Sequence, residues 1–163
     1  MKQYDESDHR ALAAWALECA ARVLPLFEQD RPEDARPRRA LDAGWEWVRS
    51  GQFSMATIRR TSLNAHAAAR AAADQPAACA AARAAGQAVA SAHVPQHAYG
   101  GAYYALKAVA ARNASDTLDA VLSEREWQTR RLPEHLRDDV MNRIMVTERA
   151  HRVHVSVNKD GDF

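Results

Sequence analysis

Apolar residues recur every three to four positions through most of this chain, and a proline or glycine stands near the end of most such runs. That period puts them on one face of a helix, so the pattern predicts a succession of amphipathic helices. The first carries Leu12, Ala16, Cys19, Val23 and Phe27, with Ser7 or Asp8 as N-cap and Pro25 ending or kinking its last turn. A polar connection over residues 31–37 follows. The second helix starts near Pro37, takes Gly51 as the residue past its end, and buries Leu41, Trp45 and Val48, with Trp47 to one side. Ser54 caps a third helix running to Ala73, with Ile58, Ser62, Ala65, Ala69 and Ala72 along one side.

Asp74-Gln75-Pro76 opens a fourth helix that ends near His93, Pro95 occupies a short link, and a fifth helix reaches about Asn113. Ser115 or Asp116 caps a sixth bearing Leu118, Val121 and Leu122, and Leu132-Pro133 breaks it. A seventh carries Leu136, Val140, Ile144 and Met145. Residues 7–148 therefore read as one all-α domain, an array of about seven antiparallel helices joined by short links. No segment before residue 150 reads as a strand. In the remaining stretch, 149–163, Val153, Val155 and Val157 alternate with His154 and Ser156, and Asn158-Lys159-Asp160-Gly161 is turn-like. The expectation is a tail, flexible or held as a strand against a partner subunit.

The third and fourth helices are alanine-rich, which suits helix formation but buries little apolar area per residue. They must pack backbone near backbone, and Gly86 and Gly100-Gly101 fit that picture. Large side chains from the flanking helices (Trp15, Phe27, Trp45, Trp47, Phe53, Tyr103 and Tyr104) are expected to clasp this small-residue centre.

Length and charge narrow the function classes. At 163 residues the chain suits one domain with a real core, and a formal net charge of +1 gives no global pull toward nucleic acid or an anionic membrane. Arginine supplies 19 of the 22 basic residues, a skew that reads with the abundant alanine as coding bias. No apolar run approaches the roughly 20 residues needed to span a bilayer, and the polar, acidic N-terminus is not a signal peptide. Cys19 and Cys79 sit inside helix patterns and read as buried free thiols, so a cytoplasmic protein is expected.

Reactive side chains concentrate around His93-Val94-Pro95-Gln96-His97. A four-residue histidine spacing can hold a metal, but Pro95 separates the two rings, Asp74 is the one acid between His66 and Asn113, and no metal is expected. His66, His93 and His97 could instead converge at one end of the bundle as a small-ligand pocket, with His93 following the apolar line of Gly86 and Val89. They could equally be structural helix-end residues. Gly100-Gly101 lacks the lysine and hydroxyl of a phosphate loop, and no Ser/His/Asp signature is present. Arg36-Pro37-Arg38-Arg39 places positive charge at a helix start, against the dipole. Trp127, embedded in the charge-dense stretch 123–131, is a candidate protein-contact anchor.

Three segments carry a family resemblance: Leu12-Ala13-Ala14-Trp15-Ala16 through Cys19 to Glu28, Arg36-Pro37-Arg38-Arg39-Ala40-Leu41, and the alanine-rich run into Ala90-Ser91-Ala92-His93-Val94-Pro95-Gln96-His97-Ala98. In that order they resemble the immunity-five-like putative immunity proteins of bacterial polymorphic toxin systems, over about residues 8–112. The resemblance implies an all-α, non-enzymatic protein that binds and neutralises a cognate toxin. It implies no cofactor and no catalytic residue, and points first to Trp15, Arg36, Arg38, His66, His93 and His97. A homodimer stays open beside the toxin complex. The competing reading is a small-ligand or metal-dependent enzyme built on the three histidines.

Overall fold

The computed structural model describes residues 3–113, 115 and 117–158. Among these residues seven helices are present: α1 (Glu6–Asp30), α2 (Arg36–Ser50), α3 (Met55–Ala71), α4 (Pro76–Ala90), α5 (His97–Arg112), α6 (Thr117–Arg131) and α7 (Glu134–Met141). They are followed by strands β1 (Ile144–Arg149) and β2 (Arg152–Val157). The chain is a predominantly all-α single domain, as its hydrophobic period implies.

Local chemistry sets most helix ends. Asp5 caps α1 by accepting from the Asp8 amide at 2.8 Å, two residues earlier than Ser7 and three earlier than Asp8 would have done. The acidic Glu6 and Asp8 then sit in the first turn, where the helix dipole favours them. Pro25 does not end the helix, which runs on to Asp30 because Leu24 and Phe27 are fully buried on either side of it. Ser54 caps α3 through the Thr57 amide, and Pro76 opens α4. Gly51 closes α2 at φ +71°, a left-handed conformation that side chains resist. Asp116, the alternative cap of α6, and residues 159–161 of the turn-like end lie outside the described residues.

At the centre lies α4, which contacts α1, α2, α3 and α5. Its alanines 78, 80, 81, 82, 84, 85 and 88 are all buried, because a helix surrounded on four sides at close range has room for little beyond a methyl group. Around it sit Trp15, Leu12, Leu17, Phe27, Tyr99 and Leu106, all at most 2 % exposed. The aromatic clasp is therefore narrower than expected: Trp45, Tyr103 and Tyr104 are half-buried and Phe53 is 47 % exposed.

Three further expectations are overturned. Helix α2 buries Pro37, Ala40, Leu41, Gly44 and Trp47, leaving Trp45 and Val48 half-buried. Leu17 of α1 inserts where Gly44 has no side chain; a Cβ there would stand 2.5 Å from Leu17 Cδ2, so the face through Gly44 turns inward. On α6 only Val121 of the three expected apolar residues is buried, alongside Glu124 and Gln128, and Leu122 is exposed.

The third correction concerns Ile144 and Met145, which belong to a strand rather than to α7. β1 pairs antiparallel with β2 in the register Ile144↔Val157, Val146↔Val155 and Glu148↔Val153, so the valine-alternating strand finds its partner within its own chain. The two-residue turn between them, Ala150-His151, has φ of 50° and 60°, the primed-turn geometry that twists with the strands. Ile144 is fully buried, and β2 packs against α5.

Candidate functional site

His66, His93 and His97 line one cleft of about 400 Å³, together with Met55, Ile58, Leu63 and Gln87 among others. Helix α3 supplies His66, whose ring lies over Gly86 of α4; a Cβ at Gly86 would stand 2.8 Å from His66 Nε2. Ser62 ties the same two helices by donating to the Gly86 carbonyl at 2.9 Å. The link between α4 and α5 brings in the other two rings. Turn bonds from His93 N to Ala90 O and from His97 N to Val94 O wind residues 91–97 tightly, and Ser91, Ala92 and Gln96 are buried. His93 points outward, not along the apolar line of Gly86 and Val89, and stacks on Phe53 at 6.5 Å between ring centres.

His97 also forms the wall to a second cleft of about 540 Å³, whose lining includes Gln87, Tyr103, Tyr104, Val155 and Val157. His97 Nδ1–H donates to Gln87 Oε1 at 2.8 Å, and Gln87 in turn fits because Gly100 has no side chain. The two clefts thus share Gln87 and His97, with β2 as the far wall.

Burial and nearby positive charge disfavour the charged form of the inner imidazoles. Burial, then the guanidiniums of Arg83 and Arg70 and the neighbouring His97, hold His66 below the usual histidine value of 6.5. Burial and His93 do the same to His97. Among the described residues no carboxylate lines either cleft, so no anion there favours the charged form of the rings. Nor does any group of three His, Cys, Asp or Glu among those residues have the geometry to hold a metal ion. The three histidines share a cleft, and among the described residues their geometry does not suit a metal ion. What they form is a half-buried, partly apolar wall suited to contact.

The other residues singled out from sequence lie elsewhere. Trp15 is buried in the core, its Nε1–H donating to the Gln128 carbonyl at 2.8 Å and so joining α1 to α6. Arg36 pairs with Asp34, which keeps the Asp34 carboxyl below its usual range, and Arg38 pairs with Glu28 through two bonds of 2.9 Å. Neither arginine lines the histidine cleft. Trp127 is half-buried between two guanidiniums, Arg22 at 4.0 Å and Arg131 at 5.9 Å from its ring centre.

Sequence reasoning missed the Tyr4, Tyr99 and Asp139 cluster. Tyr4 bonds to the Tyr99 hydroxyl and donates to Asp139 Oδ2 at 2.8 Å, and burial leads the causes that raise the Tyr4 hydroxyl far above its normal range. Tyr99 belongs to the singled-out stretch 92–101, but its partners lie 95 residues away and 40 residues away in sequence, with no local pattern to join them.

A family model described as Imm-5 like putative immunity protein matches residues 2–135. The match takes in α6, beyond the 8–112 span carried by the three sequence segments. No curated protein and no solved structure matches the chain. Among the described residues no helix is long and apolar enough to cross a membrane.

Proposed function

The chain belongs to the Imm-5 like putative immunity protein family, and on that premise we propose that it binds a cognate bacterial toxin and neutralises it by forming a protein complex. The family match over residues 2–135 is the observation that carries this reading. The clefts support it in kind: they are lined by side chains suited to contact, with no carboxylate beside the imidazoles among the described residues. Trp127, gripped by two arginines, is a second contact candidate at the surface of α6. The test is to co-express each reading frame adjacent to the gene with and without this chain and to take forward any product that is toxic by itself; a neighbourhood with no toxic product counts against the proposal. Growth rescue and a stoichiometric complex on gel filtration are expected. Undiminished toxicity on co-expression, with no complex, refutes the proposal.

One observation favours a small-ligand reading: three imidazoles line a cleft whose volume, about 400 Å³, falls in the range of ligand pockets. That reading expects a compound to raise the melting temperature of the protein and to lose its effect in His66→Ala. A broad thermal-shift screen without such a compound removes it.

A further inference from the structure

We propose that the surface built by α3, α4 and α5 is where the partner docks, and that the partner presents an acidic segment with apolar anchors. This rests on the immunity reading and goes beyond it by naming a surface and the chemistry that fits it.

The near-neutral total conceals a separation of charge. Residues 52–113 carry six lysine or arginine side chains and one carboxylate, while the rest of the chain carries sixteen and twenty. The two parts are therefore formally +5 and −4. Outside this segment at least eight arginines pair with acids, among them Arg10 with Glu6, Arg22 with Glu124, Arg36 with Asp34, Arg38 with Glu28 and Arg131 with Glu18, although Arg39, Arg125, Arg137, Arg149 and Arg152 do not pair with one among the described residues. Within it the pattern stops. Among the described residues no carboxylate lies within 4.0 Å of Arg59, Arg60, Arg70, Arg83, Lys107 or Arg112, and the segment's single acid, Asp74, is taken by Arg31.

Four of these cations edge the two clefts. Arg59 lines the histidine cleft, and Arg70 and Arg83 act on His66. Arg83 lies 5.8 Å from the Tyr104 ring centre and Lys107 lies 5.5 Å from that of Tyr103, and both tyrosines line the second cleft. Beside them stand three of the five exposed large hydrophobic side chains among the described residues: Phe53 (47 %), Met55 (41 %) and Leu63 (57 %). Unpaired like charges on one surface repel each other and add nothing to folding. Opposed by carboxylates they would speed association and fix its register. Exposed Phe, Met and Leu beside a cleft lined by Ile58 supply an apolar centre that a phosphate backbone would not use. This combination selects an acidic protein segment over nucleic acid.

The test uses the toxin above in a catalytically inactive form, with the full chain and the triple variant Arg59→Glu/Arg83→Glu/Lys107→Glu. The control is Arg38→Glu/Arg130→Glu, on other helices. Circular dichroism confirms that each variant is folded. Because Arg83 also packs on Tyr104, Leu63→Ser is a second probe with no charge change. The expected result is a loss of about 100-fold in affinity for the triple variant, a weaker salt dependence, a loss of about tenfold for Leu63→Ser, and little change in the control. Wild-type protein that binds the toxin while both face variants bind equally well overturns the docking surface and leaves the immunity reading standing. Wild-type protein that does not bind the toxin at all overturns both. A 20-nucleotide single-stranded DNA bound by wild type and lost in the triple variant, with toxin binding unchanged, assigns the face to nucleic acid and also overturns the proposal.

Discussion

Arg22→Ala separates burial from bond count. Arg22 Nε and Nη2 reach both oxygens of Glu124 at 3.0–3.1 Å, linking α1 to α6, and the guanidinium stacks 4.0 Å from the centre of Trp127. Glu124 is only 7 % exposed whereas Arg22 is 43 % exposed. Removing the arginine strands a carboxylate in the interior. Breaking a fully buried pair costs about 3–5 kcal/mol, and water can reach the arginine side, so roughly half of that applies here. Loss of the stacking on Trp127 adds about 0.5–1 kcal/mol. The sum is near 3 kcal/mol, or roughly 6–12 °C in Tm for a domain of this size. The comparison is Arg38→Ala, which removes an equally bidentate pair with Glu28, but one whose side chains are 48 % and 37 % exposed. That loss should stay below about 1 kcal/mol. Thermal denaturation by circular dichroism reads both. Arg22→Ala/Glu124→Met should recover most of the loss, since the stranded charge leaves with its partner. Equal drops for Arg22→Ala and Arg38→Ala, or no recovery in the double variant, refute the reasoning.

Gly86→Ala pushes three atoms of the His66 ring, each within 2.8–3.0 Å of the new Cβ, and overpacking of about 1–3 kcal/mol outweighs a helix-propensity gain of about 1 kcal/mol. In a His66→Ala background the same change should stabilise by about 1 kcal/mol, so a shift of equal sign in both backgrounds sinks the packing account. Because burial lowers His66 and His97 below 6.5, the unfolded chain binds protons that the folded chain refuses as pH falls beneath that value. Their contribution is flat above about pH 6.5 and diminishes below it, so His66→Gln/His97→Gln should narrow the Tm difference between pH 7.5 and 5.5; an unchanged difference contradicts this. Cys19 is fully buried, and that burial, with Glu124 and Glu18 nearby, raises its thiol, whereas Cys79 is half-buried. A thiol reagent should modify Cys79 in the native protein and Cys19 only on unfolding, which mass spectrometry of quenched samples can contradict directly.

Much of the helical order was legible because helix signals act over a few residues. Ser54 with the Thr57 amide, Pro76 at a first turn and Gly51 past a last turn each do their work locally. The hairpin was not legible for the same reason: Ala150-His151 holds a turn that glycine or asparagine usually signals, so Ile144 and Met145 looked like one more helical turn. Of the candidate site, the nearness of His93 and His97 follows from the short link between α4 and α5, whereas His66 lines the same cleft only because α3 packs on α4. The outward turn of His93 was not legible.

By itself, then, the sequence determined a run of amphipathic helices, several of their ends and an alanine-rich middle, all consequences of period and propensity. Tertiary structure decided which face of each helix turns inward, as where Leu17 fills the notch at Gly44, and it tied the Trp15 indole to the Gln128 carbonyl of α6. It also turned a local shortage of acids into a cationic surface around two clefts. Charge and burial depend on neighbours distant in sequence, and only packing brings those neighbours together.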